Sequence, residues 1–92
     1  MSEAQVRDVT ICNARGLHAR AAAKFVETAR SFDAVIEVSR DDETVSADSI
    51  MELLMLAAGK GSQIRIQTSG QEADKAADSL VELVEAGFHE AE

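Results

Sequence analysis

Residues 13–26 of the chain read NARGLHARAAAKFV, and within this stretch a loop gives way to a helix. Gly16 provides a flexible position in the loop, and His18 follows two residues later. Over residues 19–32 the apolar side chains recur at the three- and four-residue spacing of an amphipathic helix. These side chains are Ala22, Phe25, Val26, Ala29 and Phe32. The pattern therefore predicts that His18 stands at the entrance of a helix.

Four other stretches have the two-residue period of β-strands. Apolar and polar residues alternate over residues 7–12, 34–39 and 63–67, which predicts half-buried strands. A shorter strand is predicted at residues 44–47, after a polar connection that favours a hairpin.

Two further helices are indicated. The first follows a cap at Asp48 or Ser49 and is expected to end at the glycines of positions 59 and 61. The second follows a possible capping box at residues 69–72. Its apolar stripe consists of Ala73, Ala76, Ala77, Leu80, Val84 and Phe88. Gly87 could help to end it.

The predicted order of elements is strand, helix, strand, strand, helix, strand, helix. This order packs most simply as an α+β fold, an open-faced β-sandwich in which three helices cover one face of a four-stranded antiparallel sheet. No repeat or linker interrupts the chain, so residues 1–92 are expected to form one domain.

Composition excludes several classes of protein. The net charge of −8 disfavours binding to nucleic acid or to anionic membranes. No apolar run is long enough to span a bilayer, and no leader opens the chain, so a cytoplasmic location is expected. The lone Cys12 excludes an intramolecular disulfide and is expected to be a small buried residue. Two histidines and this cysteine lie far apart in sequence, so neither a metal nor another cofactor is expected.

The charges are unevenly distributed along the chain. Between Asp8 and Glu27 there is no acidic residue, whereas the basic side chains Arg15, Arg20 and Lys24 lie there beside His18. An anion could be held in this window. Residues 72–92 instead contain seven acids opposed only by Lys75, which is typical of a solvated face.

A histidine at a helix entrance can take part in phosphoryl transfer. The first N–H groups of a helix have no intrahelical partner and can hold a phosphate, here those of Ala19, Arg20 and Ala21. The Arg20 side chain could add a charge-assisted hydrogen bond. Imidazole titrates near neutrality, so a neutral ring nitrogen can attack phosphorus without a separate base. On spacing alone, however, such a histidine is more often structural.

Two motifs change that balance. The sequence GLHAR followed by AAAKFV resembles the active-site signature of the HPr family, bacterial phosphocarriers of the phosphotransferase system, which usually reads GLHARPA. Further along, SIMELLMLAAGKGSQI at residues 49–64 resembles the second signature of that family, around a regulatory serine. Within the family, this stretch and the tail EAGFHEAE look closer to the nitrogen-related NPr branch than to the sugar-transport branch.

The resemblance implies specific roles. His18 would carry the phosphoryl group on Nδ1, Arg20 would contact the phosphate, and Ser49 would be the target of HPr kinase/phosphorylase. An exposed apolar patch would dock enzyme I and an enzyme IIA-type acceptor. Its residues would be Ile50, Met51 and Leu54. The protein would act as a monomeric, stoichiometric carrier and not as a stand-alone catalyst, in sugar transport or in nitrogen and carbon regulation.

One departure and one alternative remain. Ala21 stands where the family pattern has proline, which relaxes the backbone in the first turn and restores an N–H donor there. The alternative function is a ferredoxin-like regulatory module that senses a small ligand. In that module the His18 loop would be merely structural, and the order of elements alone does not separate the two.

Overall fold

Four strands and three helices follow one another in the predicted order. The computed structural model describes residues 4–90. Its elements are β1 (Gln5–Thr10), α1 (Ala19–Arg30), β2 (Val35–Arg40), β3 (Glu43–Ser46), α2 (Ile50–Met55), β4 (Gln63–Ser69) and α3 (Ala73–Glu85), followed by a 3₁₀ turn at Gly87–His89. The predicted α+β class and element order are therefore confirmed.

The strands form one sheet in the order β1-β4-β2-β3, with all neighbours antiparallel. Because side chains alternate between the faces of a strand, register decides which ones reach the core. Ile64 is opposite Val9, and Ile66 is opposite Val38 on the other neighbour. All four side chains are buried in the same core as the helices, while the alternate residues of each strand are mostly exposed. The sheet is thus covered by helices on one face.

The core is aliphatic apart from two fully buried rings, Phe25 on α1 and Phe88 in the 3₁₀ turn. Burial of a phenylalanine side chain contributes roughly 1.5–3 kcal/mol. Phe88 therefore fastens the chain beyond α3 to the rest of the domain. It was predicted to continue the stripe of the last helix, but α3 ends at Glu85 and Phe88 reaches the core from a separate turn.

Three local expectations are corrected by the structure. Helix α2 ends at Met55, before the glycines expected to end it, because Ala57 takes a left-handed conformation with φ of 50°. Ser69 belongs to β4 and does not cap α3. The Glu72 carboxylate instead accepts a hydrogen bond from the Asp33 N–H at 2.7 Å, which ties the start of α3 to the end of the α1–β2 loop. Cys12 is exposed, not buried.

Candidate functional site

His18 caps the N-terminus of α1. Its backbone is extended, with φ of −81° and ψ of 179°, and its carbonyl accepts the first helical hydrogen bond from Ala22 N–H at 2.8 Å. The imidazole folds over the helix end, where Nδ1 accepts from the Arg20 N–H at 3.3 Å. Nδ1 therefore points at the first-turn N–H groups, the positive end of the helix dipole.

The loop before His18 is pressed against a second loop. Gly16 has a positive φ of 68°, and a Cβ there would lie 2.7 Å from the carbonyl oxygen of Ala58 and 2.7 Å from Cα of Gly59. Leu17 N–H donates to the same Ala58 carbonyl at 2.8 Å. Glycine is required because both the conformation and the space exclude a side chain. This contact fixes the direction in which the chain enters α1.

The chain beyond α3 turns back toward the same helix entrance. Gly87, Phe88 and His89 all have positive φ, between 56° and 63°, which reverses the chain sharply. The buried Phe88 ring holds the turn on one side, and on the other Lys24 of α1 donates to the Phe88 carbonyl at 2.7 Å. We name residues 87–90 the tail segment.

The tail segment brings a carboxylate to the histidine. Oε2 of Glu90 is hydrogen-bonded to Nε2 of His18, and Oε1 accepts from Nδ2 of Asn13 at 2.9 Å. The same Asn13 amide group donates to the Gly16 carbonyl at 2.8 Å. The side chains of His18 and Glu90 are only 17% and 12% exposed. One asparagine therefore links the loop, the histidine cap and the tail.

The hydrogen bond from Asn13 and then that from His18 hold the pKa of Glu90 below its usual value of 4.5, and the charge of Arg15 acts in the same direction. The group is consequently ionised at neutral pH. Asn13 itself is buried, and within residues 4–90 its Oδ1 has no hydrogen-bond partner.

The other predicted phosphate-binding residues surround the start of α1. Ala19 and Arg20 are exposed, whereas the methyl group of Ala21 is fully buried in the core. Alanine at this position therefore packs inward while its N–H belongs to the first turn. No acidic residue lies in the first turn of α1.

Ser49 caps α2 with its hydroxyl, which accepts from the Glu52 N–H at 3.2 Å. Beside it, Ile50, Met51 and Met55 are 39%, 71% and 65% exposed. Leu54, predicted to be part of this apolar patch, is instead partly buried and packs against the core. We therefore define the apolar patch as Ile50, Met51 and Met55.

Between Ala4 and Glu90, no three His, Cys, Asp or Glu side chains are grouped so that they could hold a metal ion. Over the same residues, none of the helices has both the length and the apolar character that crossing a membrane requires.

Comparison with known proteins identifies the family. The family model PTS-HPr, described as the PTS HPr component phosphorylation site, matches residues 5–86. The chain belongs to the HPr family. Relatives named HPr and a relative named NPr both match the chain. The assignment favours a phosphocarrier over a module that senses a small ligand.

Two relatives of the HPr family cover almost the whole chain. The phosphocarrier protein HPr of Pseudomonas putida is 49% identical over 94% of this chain and 97% of its own. The phosphocarrier protein NPr of Shewanella violacea is 48% identical over 92% of this chain and 93% of its own. A crystal structure of HPr-C-His from Thermoanaerobacter tengcongensis superposes with a TM-score of 0.91 at 36% identity, covering 96% of this chain and 99% of that one.

Sequence reasoning missed Glu90 as a neighbour of His18. The acidic run at residues 72–92 is typical of a solvated face, and this pattern hid the role of Glu90. A usable signal was present in Gly87 and Phe88. A glycine followed by a large apolar residue beyond a helix end indicates a chain reversal that returns to the core. The partner of the carboxylate could be found only from the three-dimensional arrangement.

Proposed function

We propose that this chain accepts a phosphoryl group on Nδ1 of His18 from phosphorylated enzyme I, which obtains it from phosphoenolpyruvate, and passes it to an enzyme IIA-type acceptor. The observation that carries the proposal is the position of the imidazole. His18 caps α1, and its Nδ1 lies beside the Arg20 N–H at the positive end of the helix. The HPr family assignment supports the same function.

The transfer needs little more than alignment and charge neutralisation. The lone pair of Nδ1 forms the new bond to phosphorus while the bond between phosphorus and the donor nitrogen breaks, and that electron pair stays with the donor. The phosphoryl oxygens are then held by the first-turn N–H groups of Ala19, Arg20 and Ala21 and by the exposed Arg20 side chain. Passing the group onward reverses these steps at the acceptor. The chain would then be a stoichiometric carrier, and we propose that it works in the cytoplasm and as a monomer.

The apolar patch is the proposed docking surface for enzyme I and the acceptor. Two of its three side chains are methionines, which adapt to different partners because they are flexible and polarisable. Exposed apolar area on a chain of this charge is also typical of a protein contact. Leu54 contributes from below, since it supports α2 against the core.

Ser49 is proposed as a negative switch, modified by HPr kinase/phosphorylase. The hydroxyl lies next to Ile50 and Met51, so a phosphoryl group there adds about −1.5 to −2 charge beside the docking surface. Placing that charge against an apolar partner groove requires its desolvation, which weakens docking.

Incubation with phosphoenolpyruvate and the cognate enzyme I tests the main proposal. Intact-mass measurement should show a gain of one phosphoryl group that mild acid removes, because a P–N bond to imidazole is acid-labile. Adding an enzyme IIA-type protein should return the mass to its starting value. If the chain gains no mass under conditions in which enzyme I is itself phosphorylated, the carrier function is wrong.

A further inference from the structure

Glu90 forms a contact that the phosphocarrier proposal does not use. Its carboxylate is hydrogen-bonded to His18 through the ring nitrogen opposite the one that faces the helix. A carboxylate only accepts hydrogen bonds, so Nε2 must carry the proton. The Arg20 N–H only donates, so Nδ1 must present its lone pair. Both neighbours therefore select the same tautomer of the imidazole.

We propose that Glu90 is a positioning residue of the phosphoryl-transfer site, whose carboxylate orients His18 and keeps the proton on Nε2, so that Nδ1 remains the nucleophile. This inference rests on the proposed function. The arrangement has the logic of a carboxylate that orients a catalytic histidine without itself taking the proton. It places the carboxylate on the side of the ring away from the incoming phosphoryl group.

The charge of Glu90 matters as well as its geometry. When Nδ1 bonds to phosphorus while Nε2 keeps its proton, the ring gains positive charge. A carboxylate hydrogen-bonded to Nε2 stabilises that charge during transfer. When the phosphoryl group leaves, the electron pair of the P–N bond returns to Nδ1 and the ring is neutral again. The proton stays on Nε2 throughout.

The tail segment is built to hold the carboxylate in place. Phe88 is fully buried, Lys24 binds the Phe88 carbonyl, and Asn13 binds the second carboxylate oxygen. These three contacts come from the core, from α1 and from the loop before His18. If the tail segment were a mobile cover over His18, its main contact would be with His18 itself. The contacts of the tail segment lie mostly elsewhere, so the carboxylate is held in a fixed position.

Nitrogen-15 spectra of the imidazole test the positioning role without any phosphoryl donor. In spectra recorded at about pH 9, well above the reference pKa of a free imidazole, the wild-type protein should show the Nε2–H tautomer with a proton protected from solvent exchange. Glu90→Ala should lose that protected proton and gain the other tautomer. Glu90→Gln should keep much of it, since the amide oxygen still accepts from Nε2–H. Backbone amide spectra of Phe88 and His89 report whether the tail segment stays docked in each variant.

Phosphorylation by phosphoramidate, a small donor with a P–N bond, tests the role of the charge without enzyme I. Glu90→Gln should slow His18 phosphorylation on the order of tenfold, which corresponds to about 1.4 kcal/mol. The matched control is Glu85→Gln, which removes the same charge from an exposed position at the end of α3. Its rate should stay at the wild-type value.

The outcomes separate the two proposals. If wild-type His18 takes no phosphoryl group from phosphoramidate or from enzyme I, the carrier function fails, and the protected Nε2 proton still decides whether Glu90 orients the ring. If Glu90→Gln is phosphorylated as fast as Glu85→Gln, or faster, Glu90 does not assist transfer. If the Glu90→Ala variant retains the protected Nε2 proton, Glu90 does not orient the His18 ring.

Discussion

The starts of α1 and α2 have similar cap hydrogen bonds but different charges in their first turns. In each, a side chain at the cap accepts from a first-turn N–H, His18 from Arg20 at 3.3 Å and Ser49 from Glu52 at 3.2 Å. The first turn of α1 contains no acid, and Arg20 follows the cap. The first turn of α2 contains Glu52, whose carboxylate accepts from the Ser46 N–H at 3.1 Å.

This difference separates two uses of a helix N-terminus. At α1 the first-turn N–H groups, of which that of Arg20 is bonded to the imidazole itself, and a nearby cation face the place where a phosphoryl group would arrive and leave. At α2 the positive end of the helix already faces the Glu52 carboxylate, and Asp48 precedes the cap. A phosphoryl group on Ser49 would meet like charges, so its expected effect is repulsion at the docking surface and not storage for transfer.

The strongest test of this comparison removes the imidazole. His18→Ala should abolish phosphoryl acceptance, because it removes the nucleophile that lies beside the first-turn N–H groups. The fold should persist because the core below His18 is unchanged, although the melting temperature should fall somewhat, since the variant loses the cap of α1 and the contact with Glu90. Intact mass after incubation with phosphoenolpyruvate and enzyme I gives the result. An acid-labile gain that persists in this variant would move the chemistry to another residue.

The second test removes the cation from the same helix start. Arg20→Ala should slow transfer in both directions without abolishing it, since one charge-assisted hydrogen bond contributes on the order of 1.5–3 kcal/mol and the backbone donors remain. Lys75→Ala is the matched control, because it deletes an exposed cation on α3. Rapid-quench, single-turnover rates are compared. Equal rates for the two variants would exclude Arg20 from the site.

The third test adds charge at the other helix start. Ser49→Asp should slow His18 phosphorylation at subsaturating enzyme I by raising KM, with kcat nearly unchanged, because the new charge lies beside Ile50 and Met51. Aspartate also caps helices well, so the melting temperature should stay close to that of the wild type. Ser49→Ala is the control. It loses the cap, at a cost of about 0.5–2 kcal/mol, but adds no charge and should keep its KM. A Ser49→Asp variant with wild-type KM would leave Ser49 as an ordinary cap.

Most of the fold and half of the site were predictable from local pattern. The spacing of apolar residues along a strand or helix shows which side chains face the core. The element order and the position of His18 at a helix start therefore follow from residues that are close in sequence. The end of α2 was not predictable, because Ala57 adopts a conformation usually left to glycine. The Glu90 contact was not predictable either. It joins residues 72 positions apart, and it depends on a chain reversal at Gly87 that has no periodic signature.

The smallest expected effect is on the pH dependence of stability. It arises from the contact between Glu90 and His18 at the start of α1, which has no counterpart at the start of α2 within residues 4–90. Because hydrogen bonds from Asn13 and then His18 hold the folded-state pKa of Glu90 below 4.5, the unfolded chain binds a proton there more readily. The stabilisation is therefore present above pH 4.5 and is lost as the pH falls through the lower folded-state value. The groups that face the carboxylate are Asn13, His18 and, at longer range, Arg15.

Thermal melts of the wild type and Glu90→Gln between about pH 5 and pH 3 measure this term, since only the wild type can lose a charge at position 90. The wild type should be slightly more stable at the upper end, and the two curves should converge toward the lower end. In a His18→Ala background the difference should shrink without vanishing, because the larger contribution comes from Asn13. Glu85→Gln, compared with the wild type in the same way, should show no such convergence. A wild-type advantage that stays constant down to pH 3 would mean that the carboxylate is not held by these hydrogen bonds, and the tail contact would then be no part of the difference between the two helix starts.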